Sequence, residues 1–311
     1  MIEANARAAQ GLTCFHGYKD QRLKTLDIDM LYTTLDSFES RTIIGFSDSC
    51  SDIIETPKDA DYSSAINFIK KYIDRPIIFK TNNNFDPDIG LASSSSGYAC
   101  IAGCLTKLLQ LSEKPQKISS LARSGSFSAS ASVSGGISIV RRAKNGVPTY
   151  GECIFKSSEL KELSIVVAFS RYNKNNYDFY NEAKSSPVLK PARKWMKGTA
   201  QEMISAIEKH DIDKLACMSE RHAILNYAVL HTGRNNLFLW KPHTISTLLF
   251  VKELREKKGE PVFASMNTGA NVFIYCFSNN ATNKVEQGLK NLDILFKTSK
   301  VGDGIKIRSI G

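Results

Sequence analysis

The chain has 311 residues, 42% of them hydrophobic and 23% charged, and its 41 Lys and Arg outnumber 31 Asp and Glu for a formal net charge of +10. That length favours two domains over one large core, and the composition is that of a soluble globular protein. The surplus charge favours anionic partners, but it is spread along the chain without a basic run, which speaks against nucleic acid, and no stretch is apolar enough for a membrane span.

The opening "MIEANARAAQG" lacks the apolar core of a secretory leader. Seven scattered cysteines, an odd number, are those of a reduced, cytoplasmic protein. Cys100 and Cys104 lie four apart and share one face of a helix. Zinc would need two more ligands at comparable spacing, so they are expected to be small buried thiols. The five histidines (His16, His210, His222, His231 and His243) have no paired metal-site spacing.

In chain order, "RTIIGF", "RPIIFK" and "LSIVVAF" are short β-branched runs bounded by polar residues, and predict strands. "YSSAINFIKKYID" predicts a helix with Ser63 or Ser64 as cap. "SGYACIAGCLTKLLQL" predicts another, turning Ala99, Cys100, Leu105, Leu108 and Leu109 toward a core. The proline- and lysine-containing "NEAKSSPVLKPARKW" suggests a domain boundary, with residues 1–185 before it and 186–311 after. Helices follow at "GTAQEMISAIEKHD", "DKLACMSERHAILNYAVL" and "HTISTLLFVKELREKKG", the last with Thr244 as cap and Gly259 as stop. A strand pair at "PVFASMN" and "NVFIYCF", a helix "NKVEQGLKNLDILFK" and a strand "GIKIRSI" complete an α+β pattern.

"GLASSSSGYAC" is too abruptly followed by an apolar helix to be a flexible linker. Its serines sit where backbone N–H groups lack partners, and with Gly90 opening the turn that helix end favours an anion. The residues alone leave two readings, a phosphate loop or an ordinary capped helix. A second small-residue stretch, "LARSGSFSASASVSGGISI", either packs tightly or lines the same pocket with Ser126 and Ser128.

"NNNFDPDIGLASSSSGYAC" resembles the nucleotide-binding loop of the GHMP kinase superfamily, in the version of its diphosphomevalonate decarboxylase branch. "FHGYKD", "ARSGSFSASASVSGG" and "FASMNTGANVFIY" resemble three further motifs of that branch, in the same order along nearly the whole chain. The resemblance implies a two-domain α+β GHMP kinase fold: an N-terminal domain like that of a small-subunit ribosomal protein, a ferredoxin-like C-terminal domain, and the active site in the cleft between them. It implies ATP and Mg²⁺, with Gly90, Ser93, Ser94, Ser95 and Gly97 cradling phosphates, Ser94 on the metal, and Ser126, Ser128 and Asn83 toward the nucleotide. Arg171 would hold the substrate carboxylate, or is a solvated strand-end arginine. Asn267 and Thr268 would bond the 3-hydroxyl or carboxylate, or form a turn beside Gly269.

The departures from the branch are specific. Its two N-terminal lysines fall on Cys14 and Tyr18, its second-motif arginine on Ala131, and its aspartate on Asn267. Lost charge disfavours a 5-diphosphate, because a buried phosphate needs charged hydrogen bonds. Phosphoryl transfer relies on positioning and survives without a strong base, whereas decarboxylation through a cationic carbon does not. The pattern is similar to the mevalonate 3-kinase offshoot of the branch, known from acid-loving archaea: mevalonate and ATP give 3-phosphomevalonate and ADP, in a modified mevalonate pathway of isoprenoid biosynthesis. The expected partners are mevalonate and ATP, with no nucleic acid or membrane, and a homodimer is possible by resemblance. The alternatives are an ATP-dependent decarboxylase of a phosphorylated mevalonate, a broader kinase of 3-hydroxy acids, and a non-catalytic basic binding protein on the same fold.

Overall fold

The structure, a computed structural model, describes residues 1–17, 20, 24–57, 61–86, 90–91, 93–144, 147–170 and 177–310. The chain runs β1 (Ile2–Gly11), β2 (Met30–Phe46), β3 (Ile53–Glu55), α1 (Ser63–Lys70), β4 (Ile77–Asn83), α2 (Ser93–Leu108), α3 (Pro115–Gly125), α4 (Ala129–Ser134), β5 (Ile137–Arg141) and β6 (Tyr150–Phe155). It continues β7 (Ser164–Ala168), α5 (Phe179–Ser185), α6 (Leu189–Met196), α7 (Thr199–Glu208), α8 (Ile212–His231), α9 (Pro242–Lys258), β8 (Val262–Ser265), β9 (Val272–Cys276), α10 (Asn279–Asn291), β10 (Phe296–Lys300) and β11 (Lys306–Ser309).

Among the described residues the strands form two sheets. The first has the order β11-β1-β2-β4-β3, with β5 joining β2 and β6 joining β5; the second has the order β10-β7-β9-β8. Helix α2 lies on the first sheet because its inner face is small: Ala99, Cys100, Ala102 and Cys104 are wholly buried against Ala4, Ala6, Ile44 and Phe79. At Gly103 a Cβ would stand 2.5 Å from Ile305 Cδ1, so nothing larger fits without displacement. The two cysteine thiols donate to main-chain carbonyls, Cys100 to Ser40 and Cys104 to Ile2, as small buried groups. Burial raises both thiols, Cys104 to about 12.

One apolar cluster joins the two sheets, bringing Leu31, Leu35 and Ile137 of the first against Ile165, Phe263 and Tyr275 of the second. The Phe263 and Tyr275 rings stack at 4.8 Å within it.

Several boundaries differ from the sequence reading. The chain crosses from first sheet to second between β6 and β7, some way before residue 185, and returns for β11. Strand "LSIVVAF" is buried along all of β7, so its pattern cannot say which sheet takes it. The proline-rich stretch expected as a boundary is helical, as α5 and α6; Pro191 sits near the start of α6, in the first turns where a missing N–H costs least. "RTIIGF" is only the end of the 17-residue β2. Helix α10 stops at Asn291, and "FK" opens β10 instead, because Asp293 turns left-handed at φ 54. Gly259 ends α9 in the left-handed conformation, as expected. Thr244 lies one turn inside α9, where its Oγ1 accepts from Lys241 N at 3.1 Å.

Candidate active site

The site gathers where β1 ends. Gly90 has φ +77, a conformation side chains disfavour, and a Cβ there would stand 3.1 Å from Asn271 Nδ2. The loop thus meets the segment after β8 without a gap, and Asn271 Oδ1 also accepts from Ser170 N at 3.0 Å. From Ser93 the chain enters α2, whose first turn holds no acidic residue to compete for its free N–H groups.

The four serines point in different directions. Ser94 is exposed, and its Oγ lies 3.3 Å from Ser126 Oγ, which lies 3.4 Å from Ser128 Oγ. These hydroxyls come from the start of α2, the end of α3 and the residue before α4, and form one row. Ser93 is half-buried beside them. Ser95 and Ser96 are fully buried and face inward. Ser95 Oγ accepts from Ala9 N at 3.0 Å, and Ser96 Oγ meets Ser40 Oγ at 2.6 Å. The Ser40 hydroxyl donates on to Asn83 Oδ1 at 2.5 Å. The Ser95 hydroxyl, expected toward the phosphates, fixes α2 to β1, and Asn83 props the same helix from β4. Gly97 belongs to the body of α2, with nothing within 4 Å of a Cβ, so no steric demand accounts for it.

On the opposite side, Asn267 Oδ1 accepts from Gly11 N at 3.0 Å, and Ser265 Oγ donates to Gly11 O at 2.6 Å. Tyr227 of α8 holds the turn from behind, donating to Asn267 O at 2.8 Å and accepting from Gly269 N at 3.2 Å. Ala9 thus carries α2 and Gly11 carries the 267–269 turn. At about 3.3 Å of rise per residue, their anchors are roughly 7 Å apart along one strand. That separation accommodates a phosphoryl group passing between a nucleotide on α2 and an acceptor on the turn. Asn267 and Thr268 are both half-buried, open on one side.

The sequence set His16 apart only as one of five histidines without metal-site spacing. Its ring stacks on Phe179, with centroids 5.1 Å apart, and Nε2 also lies 2.6 Å from Thr268 Oγ1. Burial lowers its pKa to about 4, so the imidazole is neutral. Nearby, burial holds His222 at about 3 and pushes the Cys14 thiol to about 12.

Cations approach from elements outside the motifs. Arg193 of α6 donates to Gly17 O at 2.8 Å, with its guanidinium 5.8 Å from the centre of the Phe15 ring. Lys24 bonds Gly125 O and stands 5.9 Å from the centre of Tyr98, one turn beyond Ser94 on α2. Burial lowers its pKa, and Lys71 and Arg123 add to the effect. Arg171 and Tyr18 lie outside the described residues. No sequence signal announced Arg193, Lys24, Asn271 or Tyr227, because each acts through a neighbour distant along the chain.

With this geometry in hand, residues 6–151 match the model of the diphosphomevalonate decarboxylase-like N-terminal domain. The phosphomevalonate decarboxylase of Haloferax volcanii is 26% identical over 281 residues, which is 87% of this chain and 86% of that protein. The diphosphomevalonate decarboxylase of Gibberella zeae is 24% identical over 224 residues, 70% of this chain and 59% of its own length. Among solved structures, the mevalonate diphosphate decarboxylase of Enterococcus faecalis superposes with a TM-score of 0.89 at 20% identity, covering 99% of both chains. That of Staphylococcus aureus gives 0.88 at 22% identity, again covering 99% of both. A further neighbour, with a TM-score of 0.88, is a complex with MVAPP, AMPPCP and magnesium.

The α+β architecture is therefore that of the mevalonate diphosphate decarboxylases, a GHMP kinase fold over the whole length. The chain is thus similar to the diphosphomevalonate decarboxylase-like N-terminal domain over residues 6–151, and to a phosphomevalonate decarboxylase over most of its length.

Proposed function

We propose that this chain transfers the γ-phosphoryl group of ATP to the tertiary 3-hydroxyl of mevalonate, giving 3-phosphomevalonate and ADP without loss of CO₂. ATP-dependent action on a mevalonate derivative is supported by the relatives, which are decarboxylases of phosphorylated mevalonate. The observation that carries the finer reading is the turn on Gly11: an amide, Asn267, stands where a carboxylate would be needed to favour a cationic carbon during decarboxylation. The nucleotide phosphates would lie on the N-terminus of α2 and the Ser94–Ser126–Ser128 row, with Ser93 and Gly90 completing the turn.

The donors at this row are hydroxyls, hard oxygens that suit Mg²⁺. Among the described residues no three His, Cys, Asp or Glu side chains gather to hold a metal by themselves. That donor set fits an ion that keeps most of its shell from phosphate and water, with Ser94 supplying a protein ligand. Bound there, the ion would neutralise charge on the transferred group.

Decarboxylation of a phosphorylated mevalonate is the second reading. Arg193 beside the N-terminal loop favours it, since this guanidinium offers a cation for a substrate phosphate where the motif lysines are absent. Incubation with Mg-ATP and each of mevalonate, 5-phosphomevalonate and 5-diphosphomevalonate, following ADP and CO₂ together, separates the two. ADP without CO₂, with mevalonate alone, is the expected result. Matched ADP and CO₂ from a 5-phosphorylated substrate would establish the second reading instead.

A further inference from the structure

With the carboxylate replaced by Asn267, phosphorylation of an alcohol still leaves a proton to be removed. The hydroxyl of Thr268 is next to Asn267 in the turn held on β1, and its Oγ1 is 2.6 Å from His16 Nε2. Two contacts hold that imidazole, Phe179 stacking on the ring and Thr268 at Nε2, and Asn226 Oδ1 holds the backbone beneath it by accepting the His16 main-chain N–H at 3.1 Å. The two residues are 252 apart in sequence.

We propose that Thr268 and His16 form a proton relay for the acceptor hydroxyl, with Thr268 touching the acceptor and His16 acting through it as a positioning and proton-accepting residue. The inference rests on the phosphoryl-transfer reading above. As the acceptor oxygen bonds to the γ-phosphorus and the bond to the bridging oxygen of ADP breaks, the acceptor proton passes to Thr268 Oγ1. The threonine's own proton passes to His16 Nε2, and the imidazolium then releases it to solvent. A loose transition state needs only a weak base late in the reaction, and a neutral imidazole supplies one.

The groups around His16 leave it free to titrate in this way. Cys14 is a protonated thiol and His222 a neutral imidazole, both held so by burial. On α6, Arg193 is directed to Gly17 O and faces Asp27 at 3.6 Å. On α5, the Glu182 carboxylate is spent on Asn235, and α8 presents the uncharged Asn226. Burial lowers the imidazole's pKa to about 4.

The test is the pH dependence of kcat from pH 3 to 8 for wild type, His16→Gln, Thr268→Val, Thr268→Ser and the His16→Gln/Thr268→Val double variant, with Mg-ATP binding measured in parallel. The wild type should lose kcat as pH falls through about 4, when Nε2 becomes protonated. Both His16→Gln and Thr268→Val should lower kcat on the order of a hundredfold with little change in Mg-ATP affinity, and lose the acid limb. The double variant should be no worse than either alone, and Thr268→Ser should retain most of the activity. An acid limb unchanged in His16→Gln, additive losses in the double variant, or a loss confined to KM would overturn the relay while leaving the kinase reading standing. Absence of ADP from the wild type with every mevalonate would overturn both.

Discussion

Replacing Tyr227 by Phe isolates the hydroxyl that holds the acceptor turn. The ring would stay in place, packed against Trp240 at 5.4 Å and His231 at 5.7 Å, so no cavity opens. What disappears is a hydroxyl that meets Asn267 O and Gly269 O and accepts from Gly269 N–H, at a site where Tyr227 is 1% exposed. Leaving a buried polar group unpaired costs about 1–3 kcal/mol, and with partial relaxation of the turn the lost contacts should together cost about 2–3 kcal/mol. For a chain of this size that lowers Tm by roughly 3–5 °C. Asn267 and Thr268 would then sample other positions relative to Gly11, so kcat should fall about tenfold or more. Mg-ATP affinity should hold, because α2 hangs on β1 through Ser95 and not through the turn. Calorimetric melting and initial-rate kinetics on the same preparation read both effects. A loss of less than about 0.5 kcal/mol with unchanged kcat would refute the view that this hydroxyl positions the turn.

Ser94→Ala should raise KM for Mg-ATP about tenfold with a smaller effect on mevalonate, read by steady-state kinetics; an unchanged KM removes Ser94 from the phosphate row. Asn267→Asp keeps an oxygen for Gly11 N and adds charge, so it should release CO₂ together with ADP from at least one phosphorylated mevalonate; ADP with no trace of CO₂ would show that the amide is not what stops the reaction. Gly90→Ala should cost about 1–2 kcal/mol in backbone strain at φ +77 and push on Asn271, weakening Mg-ATP binding measured by calorimetry. His222 titrates near 3 in the folded chain, below the ordinary 6.5, so the unfolded state binds its proton first as the medium acidifies. Stability should therefore be intact above about pH 6.5 and fall below it, by on the order of 1 kcal/mol per pH unit, until pH nears 3. Urea midpoints at pH 7 and pH 4.5 should differ less in His222→Gln than in wild type, and equal differences would remove His222 from the acid sensitivity.

The cradle side of the site was legible because its signals are local. A glycine that must turn left-handed, a run of hydroxyls and an apolar helix occupy neighbouring positions, and each has a physical reason to be there. Helical spacing also holds the direction of the serines: Ser95 and Ser96 stand one turn before the buried Ala99 and Cys100, so their side chains belong to the packed face. Of the three serines expected at the cradle, Ser95 is the one whose side chain that periodicity turns to the packed face. Strand β2 was under-read because its first half, rich in Thr, Asp, Ser and Glu, lacks the β-branched apolar run that marks its second half. On the acceptor side the resemblance named Asn267 and Thr268, but their partners were not legible. His16 and Tyr227 have common residue types at ordinary spacings, and acquire meaning only when α8 and the turn after β8 fold over the end of β1. Arg193 hid in a stretch that composition marked as a connection, although the stretch is helical.

The last strand has a consequence for how the molecule is made. β11 pairs with β1 from Ile2 to Asn5, and the amino group of Met1 reaches Ile310 O at 3.2 Å. Strand β1 therefore waits for β11, which follows it only after the whole second sheet, before that edge of the first sheet is closed. Loss of a few carboxy-terminal residues would bare that edge, at the far end of the strand that carries both sides of the site.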